Sequence, residues 1–499
     1  MLTFLIEKRT KVFFTICFLL VVFFSFKTYP LKTLGYESIP NKGEILDEYD
    51  FGWIGKSFLE TGIPVAWSDL GIYSKEHPKK NIISEIEGFS ILANGEKPSF
   101  KNFNSFPKPM ISFKTLDYGV GDRHVRFVQP YLDHPPLAGI VYSLGLKKDV
   151  ANFDQLNLKQ IRQQSIYLAI IAGILLFFLG TQLYGSLIGL IAFLFYSTVP
   201  SFVFASRLAL AENVLLVFFL GAINLLILSK RLSKNWILIF SGILAGLGSL
   251  TKLSGWAIIL VGLSLLISYK FSRRKIISFL LPAVLIGSLY FFYSFYLGGS
   301  FFIEVILDHS SRLFLGALSF FQQISRVSLS NFPLDGWWIG GFFILAYLTS
   351  FKENRELGII SGIYLFSILF LGGGNYTWYY FPLMPFLALS VAVLIKRLAI
   401  KCSLIDLALF FIFPVSSSFY WGFTVFNSSL NLQWFYRLII IFFGLLGICF
   451  LTKVKQKFLF KFGWILFLIL LVHRLYIWNF RSVLYLIDNW GKLHPPLTW

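Results

Sequence analysis

The sequence predicts an all-α polytopic membrane protein, and three observations support this prediction. Of 499 residues, 56% are hydrophobic and 14% are charged, whereas soluble domains are about 25% charged. Apolar runs close to the roughly 20 residues of a membrane span recur along the chain. Basic residues recur in alternate connections between these runs. The composition therefore argues against a cytosolic enzyme, a disordered protein and a nucleic-acid-binding protein.

About 13 apolar runs are candidate spans. Each must be helical, because lipid offers a peptide group no hydrogen-bond partner outside a helix or a closed barrel. The runs lie near 12–30, 163–181, 186–205, 212–229, 236–250, 254–269, 276–297, 336–350, 358–372, 378–395, 402–421, 434–452 and 462–479.

The charge distribution predicts the orientation. The first run follows Lys8, Arg9 and Lys11 and lacks a small-residue cleavage site, so we interpret it as a signal anchor with a cytoplasmic N-terminus. Basic clusters at 230–234, 270–275, 352–355, 396–401 and 453–461 then face the cytoplasm, as the positive-inside rule requires. The net charge of +19 therefore has a topological cause and does not call for a nucleic-acid partner. We expect a multi-pass protein of the plasma (inner) membrane.

Two longer segments fall on the extracytoplasmic side, at 31–162 and 298–335. In the first, Asp47, Glu48 and Asp50 open a segment, 47–62, with the apolar spacing of an interfacial amphipathic helix. Gly62 follows as a stop signal. These acids are candidates for catalysis, although acidic residues also favour a helix N-terminus for electrostatic reasons alone.

Other candidate residues cluster at the outer ends of spans. Each has a structural alternative: a rigid turn for the Asp133-His134-Pro135-Pro136 stretch, snorkelling for the cations, a solvated loop for 298–335, or an aromatic belt near residue 379. The candidates for substrate binding are His134, Arg207, Glu212, Lys252, His309, Arg312 and Tyr379.

Carboxylates beside cations suit transfer of a group from a phosphate donor to a hydroxyl. A carboxylate can take the proton of the acceptor, and cations can stabilise the departing phosphate. Cytosolic nucleotide sugars do not reach this face, whereas a donor carried on a lipid phosphate does. Paired carboxylates could also hold a divalent cation, but no dedicated ligand set is visible. The three cysteines lie in apolar runs and indicate neither a disulfide framework nor a metal site.

The order of the motifs resembles the GT-C membrane glycosyltransferases, namely the bacterial relatives of protein O-mannosyltransferases and the aminoarabinose transferase of lipid A. The resemblance covers about residues 5–400. In chain order, the matching motifs are Asp47-Glu48 with Leu59-Glu60-Thr61-Gly62, His134-Pro135-Pro136-Leu137, Ser206-Arg207 with Ala211-Glu212, Gly246 to Thr251-Lys252, and Tyr379 with Pro382 and Pro385.

The resemblance implies a GT-C module over 1–400, followed by C-terminal spans over 401–499. It also implies a polyprenyl-phosphate sugar donor, an inverting single displacement and Asp47 as base, supported by Glu48 or Asp50. The acceptor would be a lipid, glycan or protein. His134 replaces the usual lysine of the family, and a histidine is only partly charged at neutral pH. The stretch 65–130 is longer than is typical.

Two other function classes remain open from the sequence. A polytopic lipid or sugar transporter, or a flippase, would carry ionisable residues deep inside its spans, whereas here most of them cluster at outer span ends. A glycan polymerase or ligase would share the outer site but use two lipid-linked substrates.

Overall fold

The computed structural model describes residues 2–40, 47–68, 70–73, 114–120, 123–147, 150, 156–232, 234–311, 318, 320–321, 328–329, 332–333, 335–371, 376–401, 403–419, 437 and 458–493. Over these residues the fold is largely helical. The helices are α1 (Leu2–Thr33), α2 (Asp47–Thr61), α3 (Leu137–Ser143), α4 (Leu158–Tyr184), α5 (Ser186–Thr198), α6 (Pro200–Ala205), α7 (Ala211–Leu232), α8 (Asn235–Ser249), α9 (Trp256–Ser268), α10 (Arg273–Gly298), α11 (Ser300–Ser310), α12 (Gly336–Thr349), α13 (Arg355–Leu371), α14 (Met384–Lys401), α15 (Leu404–Phe410), α16 (Phe458–Asp488) and α17 (Trp490–Leu493).

The prediction of a multi-pass helical membrane protein is confirmed. Among the described residues, six helical stretches are long and apolar enough to cross a bilayer: Lys11–Thr33, Leu158–Tyr184, Ala211–Leu232, Arg273–Gly298, Thr377–Lys401 and Lys461–Asp488. Five shorter apolar helices accompany them: Ser186–Thr198, Asn235–Ser249, Leu253–Ser268, Gly336–Thr349 and Leu404–Phe419. The expected span at 434–452 lies outside the described residues except for residue 437. The number 13 therefore stays a prediction, as does the division near residue 400.

The helices divide into a buried centre and a lipid-facing rim. In α7 and in the stretch Thr377–Lys401, 78% of the most apolar 18-residue segment is buried within the protein. In α1, α10 and α16 the corresponding share is 17–22%. The central helix α7 packs against α4 and α8, and α14 packs against α5 and α12. The rim helices expose their apolar side chains, because the bilayer solvates those side chains as well as a protein core would.

The first outer segment contains a small sheet, which the sequence analysis missed. Strands β1 (Ala66–Trp67), β2 (Lys114–Val120) and β3 (Arg123–Gln129) form an antiparallel sheet in the order β1-β3-β2. Val120 pairs with Arg123 at one end and Lys114 with Gln129 at the other. Two seven-residue strands separated by a Gly-Asp pair are typical of a hairpin, so the signal was present. A second, two-stranded sheet joins β4 (Ser328–Leu329) and β5 (Phe332–Pro333).

Candidate active site

The acidic segment forms the expected helix, but the helix is more deeply buried than predicted. It runs over Asp47–Thr61, and Gly62 ends it with a positive φ of 72°, a conformation that glycine adopts without strain. Only Leu59 and Glu60 are exposed in α2. The helix packs closely on α3, because a Cβ added at Gly55 would lie 1.9 Å from the carbonyl oxygen of Gly139. The site is thus built on a helix that close packing holds in place within the first outer segment.

Glu48 lies in a buried ion pair with Arg162 of α4. Arg162 Nε and Nη2 donate to the two carboxylate oxygens of Glu48 at 2.8 and 2.6 Å. Arg162 also donates to the carbonyls of Tyr36 and Pro40, and Glu48 accepts the Ala209 N–H at 2.8 Å. These contacts join four segments and occupy both oxygens of Glu48, which favours a structural role over a catalytic one.

Asp50 faces the opposite side of α2 and is also buried. Its Oδ1 accepts the Trp67 N–H at 2.8 Å, which ties β1 to the helix. Burial raises the pKa of Asp50 well above the usual range for a carboxyl. The hydrogen bond from Trp67 lowers this pKa in part, whereas repulsion from Asp47 and Asp133 raises it further. The carboxyl therefore holds its proton at a pH where an exposed aspartate is ionised.

Asp47 interacts electrostatically with Lys252, the residue that links α8 to the short 3-10 helix Leu253–Gly255. Lys252 is buried, forms an ion pair with Glu212 at the start of α7, and lies 3.8 Å from the centre of the Tyr379 ring. Tyr379 belongs to the 3-10 helix Thr377–Leu383 before α14. The fold therefore brings together four predicted site residues from four separate segments: Asp47, Glu212, Lys252 and Tyr379.

A second group surrounds the loop that precedes α3. Asp133 accepts hydrogen bonds from Ser68 Oγ at 2.5 Å and from Tyr73 Oη at 2.8 Å. Tyr73 Oη accepts the Leu132 N–H at 3.0 Å, and Tyr290 Oη donates to the Leu132 carbonyl at 2.5 Å. These bonds fix the backbone that presents the next residue.

The loop held in this way brings together two predicted histidines. The ring of His134 meets that of His309, at the end of α11, edge to face with a centroid distance of 5.3 Å. Two imidazoles at this distance could share one anionic ligand when protonated.

One of the predicted cations, Arg207, stands apart from these groups. Arg207 is fully buried, donates to the carbonyls of Leu31 and Ile39, and lies near Arg162. These hydrogen bonds hold the end of α1 in place, and none of them involves Lys252. Arg312 lies outside the described residues. The divalent cation also finds no support here: within the described ranges, no three or more His, Cys, Asp and Glu side chains are grouped to hold a metal ion.

Sequence reasoning missed Arg162 and Tyr73. Arg162 lies at the start of an apolar run, so its only signal was a cation at the edge of a predicted span. Tyr73 lies in the long outer segment without a surrounding motif. Only the tertiary structure shows that the two residues anchor Glu48 and Asp133.

Comparison with known proteins agrees with this architecture. Residues 133–297 match the family model described as dolichyl-phosphate-mannose-protein mannosyltransferase. The crystal structure of ArnT from Cupriavidus metallidurans bound to undecaprenyl phosphate is similar, with a TM-score of 0.51 and 13% identity, over 96% of this chain and 78% of that chain. The chain has the GT-C glycosyltransferase fold. The GT-C fold predicted from the sequence motifs is thereby confirmed.

Other solved structures are more distant. The apo form of the same ArnT gives a TM-score of 0.47 and 15% identity, over 72% of this chain and 67% of that chain. The Archaeoglobus fulgidus oligosaccharyltransferase in complex with Zn and sulfate gives 0.35 and 13%, over 58% of this chain and 43% of that chain. No curated protein matches the sequence.

Proposed function

We propose that this GT-C protein transfers a sugar from a polyprenyl-phosphate donor to an acceptor hydroxyl at the extracytoplasmic face of its membrane. The observation that carries the proposal is the buried Lys252, which pairs with Glu212 over the Tyr379 ring. Asp47, at the start of a rigidly packed helix, lies near enough to act on its charge. A proton acceptor and a phosphate-binding cation are the two groups that such a transfer requires. The similar ArnT structure contains undecaprenyl phosphate, which agrees with a lipid-phosphate donor.

In the proposed reaction, the acceptor oxygen attacks the anomeric carbon of the sugar from the face opposite the phosphate. Asp47 takes the hydroxyl proton as the new C–O bond forms. The bond from the anomeric carbon to the phosphate oxygen breaks, and its electron pair leaves with the lipid phosphate. A single displacement of this kind inverts the anomeric configuration.

Lys252 and the imidazoles of His134 and His309 are the groups proposed to receive the departing phosphate. Glu212 already pairs with Lys252, which keeps the ammonium charged and orients it in a low-dielectric site. Tyr379 lies under the same ammonium and limits its movement. The Glu48–Arg162 pair and the protonated Asp50 would hold α2, and with it Asp47, in position.

Transfer from a set of polyprenyl-phosphate sugars in proteoliposomes tests the proposal. Asp47→Asn should lower the rate about 10²–10⁴-fold, the usual contribution of a general base. Asp488→Asn is the matched control, because Asp488 is exposed at the end of α16 and should leave transfer unchanged. Equal rates for Asp47→Asn and wild type would remove Asp47 from the chemistry.

Binding of the polyprenyl phosphate separates the two roles. Lys252→Met should weaken binding of the lipid phosphate to the purified protein, whereas Asp47→Asn should leave that binding intact. If the wild type moves the lipid between leaflets without transferring a sugar to any acceptor, a flippase describes the protein better.

A further inference from the structure

A polar cavity lies at the membrane face opposite the candidate active site. The helices α4 and α7 begin beside Arg162 and Glu212 of the site, and their other ends line a cavity of about 310 Å³. This volume lies at the lower end of the range of small-ligand sites, about 300–1,000 Å³. The lining includes Gln182, Tyr184, Lys230, Arg231, Glu353 and Glu356.

The cavity presents both signs of charge side by side. Lys230 Nζ lies 3.5 Å from the carboxylate of Glu356 and 4.0 Å from the centre of the Tyr269 ring. Arg231 donates to the Gln182 carbonyl at 2.6 Å, at the end of α4. The Lys230–Glu356 pair is partly exposed, with side chains 48% and 26% accessible, so a ligand can separate it at little cost. A ligand with one anionic and one cationic group would match this arrangement.

Two of the lining residues, Gln182 and Tyr184, each carry a buried polar atom that lacks a described hydrogen bond. The amide nitrogen of Gln182 donates to Asn224 Oδ1 at 2.8 Å, and the Asn224 nitrogen donates to the carbonyls of Leu175 and Leu220. These bonds fix the orientation of the Gln182 amide. In the part of the chain that the structure describes, Gln182 Oε1 accepts no hydrogen bond and Tyr184 Oη makes none. Buried polar groups without partners are uncommon. The lining thus offers an acceptor and a hydroxyl donor.

We propose that this cavity binds the headgroup of a zwitterionic phospholipid that has a primary ammonium, such as phosphatidylethanolamine. The ammonium N–H groups would donate to Gln182 Oε1 and Glu356. The phosphodiester would accept from Tyr184 Oη and face Lys230 and Arg231. Phosphatidylcholine has no ammonium N–H to donate, and phosphatidylglycerol has no cation, so neither satisfies both sides of the cavity.

The position of the cavity favours a lipid over a soluble zwitterion. It lies at the ends of spanning helices, where headgroups are located. The side chains of Leu232 and Ile267, which belong to the last turns of α7 and α9, are 50% and 60% exposed. Acyl chains attached to a bound headgroup would lie against such apolar surfaces.

Native mass spectrometry of the full-length protein in detergent micelles tests the proposal. We expect phosphatidylethanolamine to bind at least ten-fold more tightly than phosphatidylcholine. Glu356→Gln and Gln182→Leu should each lower phosphatidylethanolamine binding about ten-fold and leave phosphatidylglycerol binding unchanged. Glu304→Gln is the matched control, since Glu304 is exposed on α11 and does not line the cavity.

Two results would overturn the proposal: equal binding of phosphatidylethanolamine and phosphatidylcholine, or equal effects of Glu356→Gln and Glu304→Gln. Free phosphoethanolamine distinguishes the source of the headgroup. If it competes at the same concentration as the lipid, the lipid assignment is wrong and the ligand is a soluble zwitterion. Binding is measured without sugar transfer, so the outcome does not depend on the proposed glycosyltransferase activity.

Discussion

Replacing Arg162 by methionine should destabilise the protein strongly, because the substitution leaves the Glu48 carboxylate buried with one described partner. The side chains of Arg162 and Glu48 are 0% and 2% exposed. The change removes two charge-assisted hydrogen bonds to Glu48 and two to the backbone carbonyls of Tyr36 and Pro40. Glu48 would keep the Ala209 N–H at 2.8 Å. Breaking a buried pair from one side costs about 3–5 kcal/mol, and we expect a loss in that range.

The measurement is unfolding in mixed micelles of increasing SDS content, followed by circular dichroism. Lys159→Met is the matched control on the same helix: Lys159 is 57% exposed and lies 4.0 Å from Glu37, so its loss should cost at most about 1 kcal/mol. The double variant Glu48→Met/Arg162→Met should recover most of the stability, because no unpaired charge remains.

If Arg162→Met is no less stable than Lys159→Met, the buried Glu48–Arg162 pair does not stabilise the fold. The double variant also decides the role of Glu48 in transfer. Transfer near the wild-type rate in a stable double variant would assign Glu48 to structure alone. A loss of transfer without a loss of stability would return Glu48 to the chemistry.

Two further predictions concern the packing and protonation of α2. Gly55→Ala should separate α2 from α3, destabilise the protein by about 1–3 kcal/mol or more and lower transfer, because the new Cβ would lie 1.9 Å from the carbonyl oxygen of Gly139. Gly463→Ala is the control, since a Cβ at Gly463 would have no atom within 4 Å. Equal unfolding midpoints for the two variants would contradict the prediction. Because the pKa of Asp50 is raised in the folded state, the folded protein retains a proton that the unfolded chain has lost. Stability should therefore fall as pH rises above about 4, the ordinary pKa of an aspartate, by at most about 1.4 kcal/mol per pH unit, until Asp50 also ionises in the folded protein. This slope should be shallower in Asp50→Asn, which keeps an acceptor for the Trp67 N–H, and identical slopes would show that Asp50 is ionised.

Local sequence patterns were sufficient to predict the membrane class, the helical fold and the segments from which the candidate site is built. Hydrophobicity per residue is a local property, so runs such as 163–181 and 212–229 predicted α4 and α7 directly. The start of α2 at Asp47 and its end before Gly62 also followed from local signals. The order of the motifs also predicted the GT-C fold.

Which charged side chains contact one another depends on the tertiary structure. Glu48 and Asp50 lie two residues apart, yet one faces Arg162 and the other Trp67, because neighbouring positions on a helix point in different directions. Lys252 lies near Glu212, Asp47 and Tyr379 only because the start of α7, the end of α8 and the 3-10 helix before α14 come together in the fold. The sequence favoured Arg207 as a phosphate ligand, but the fold commits its described contacts to backbone carbonyls. Pairing across more than a hundred residues depends on helix packing, and no local pattern encodes it.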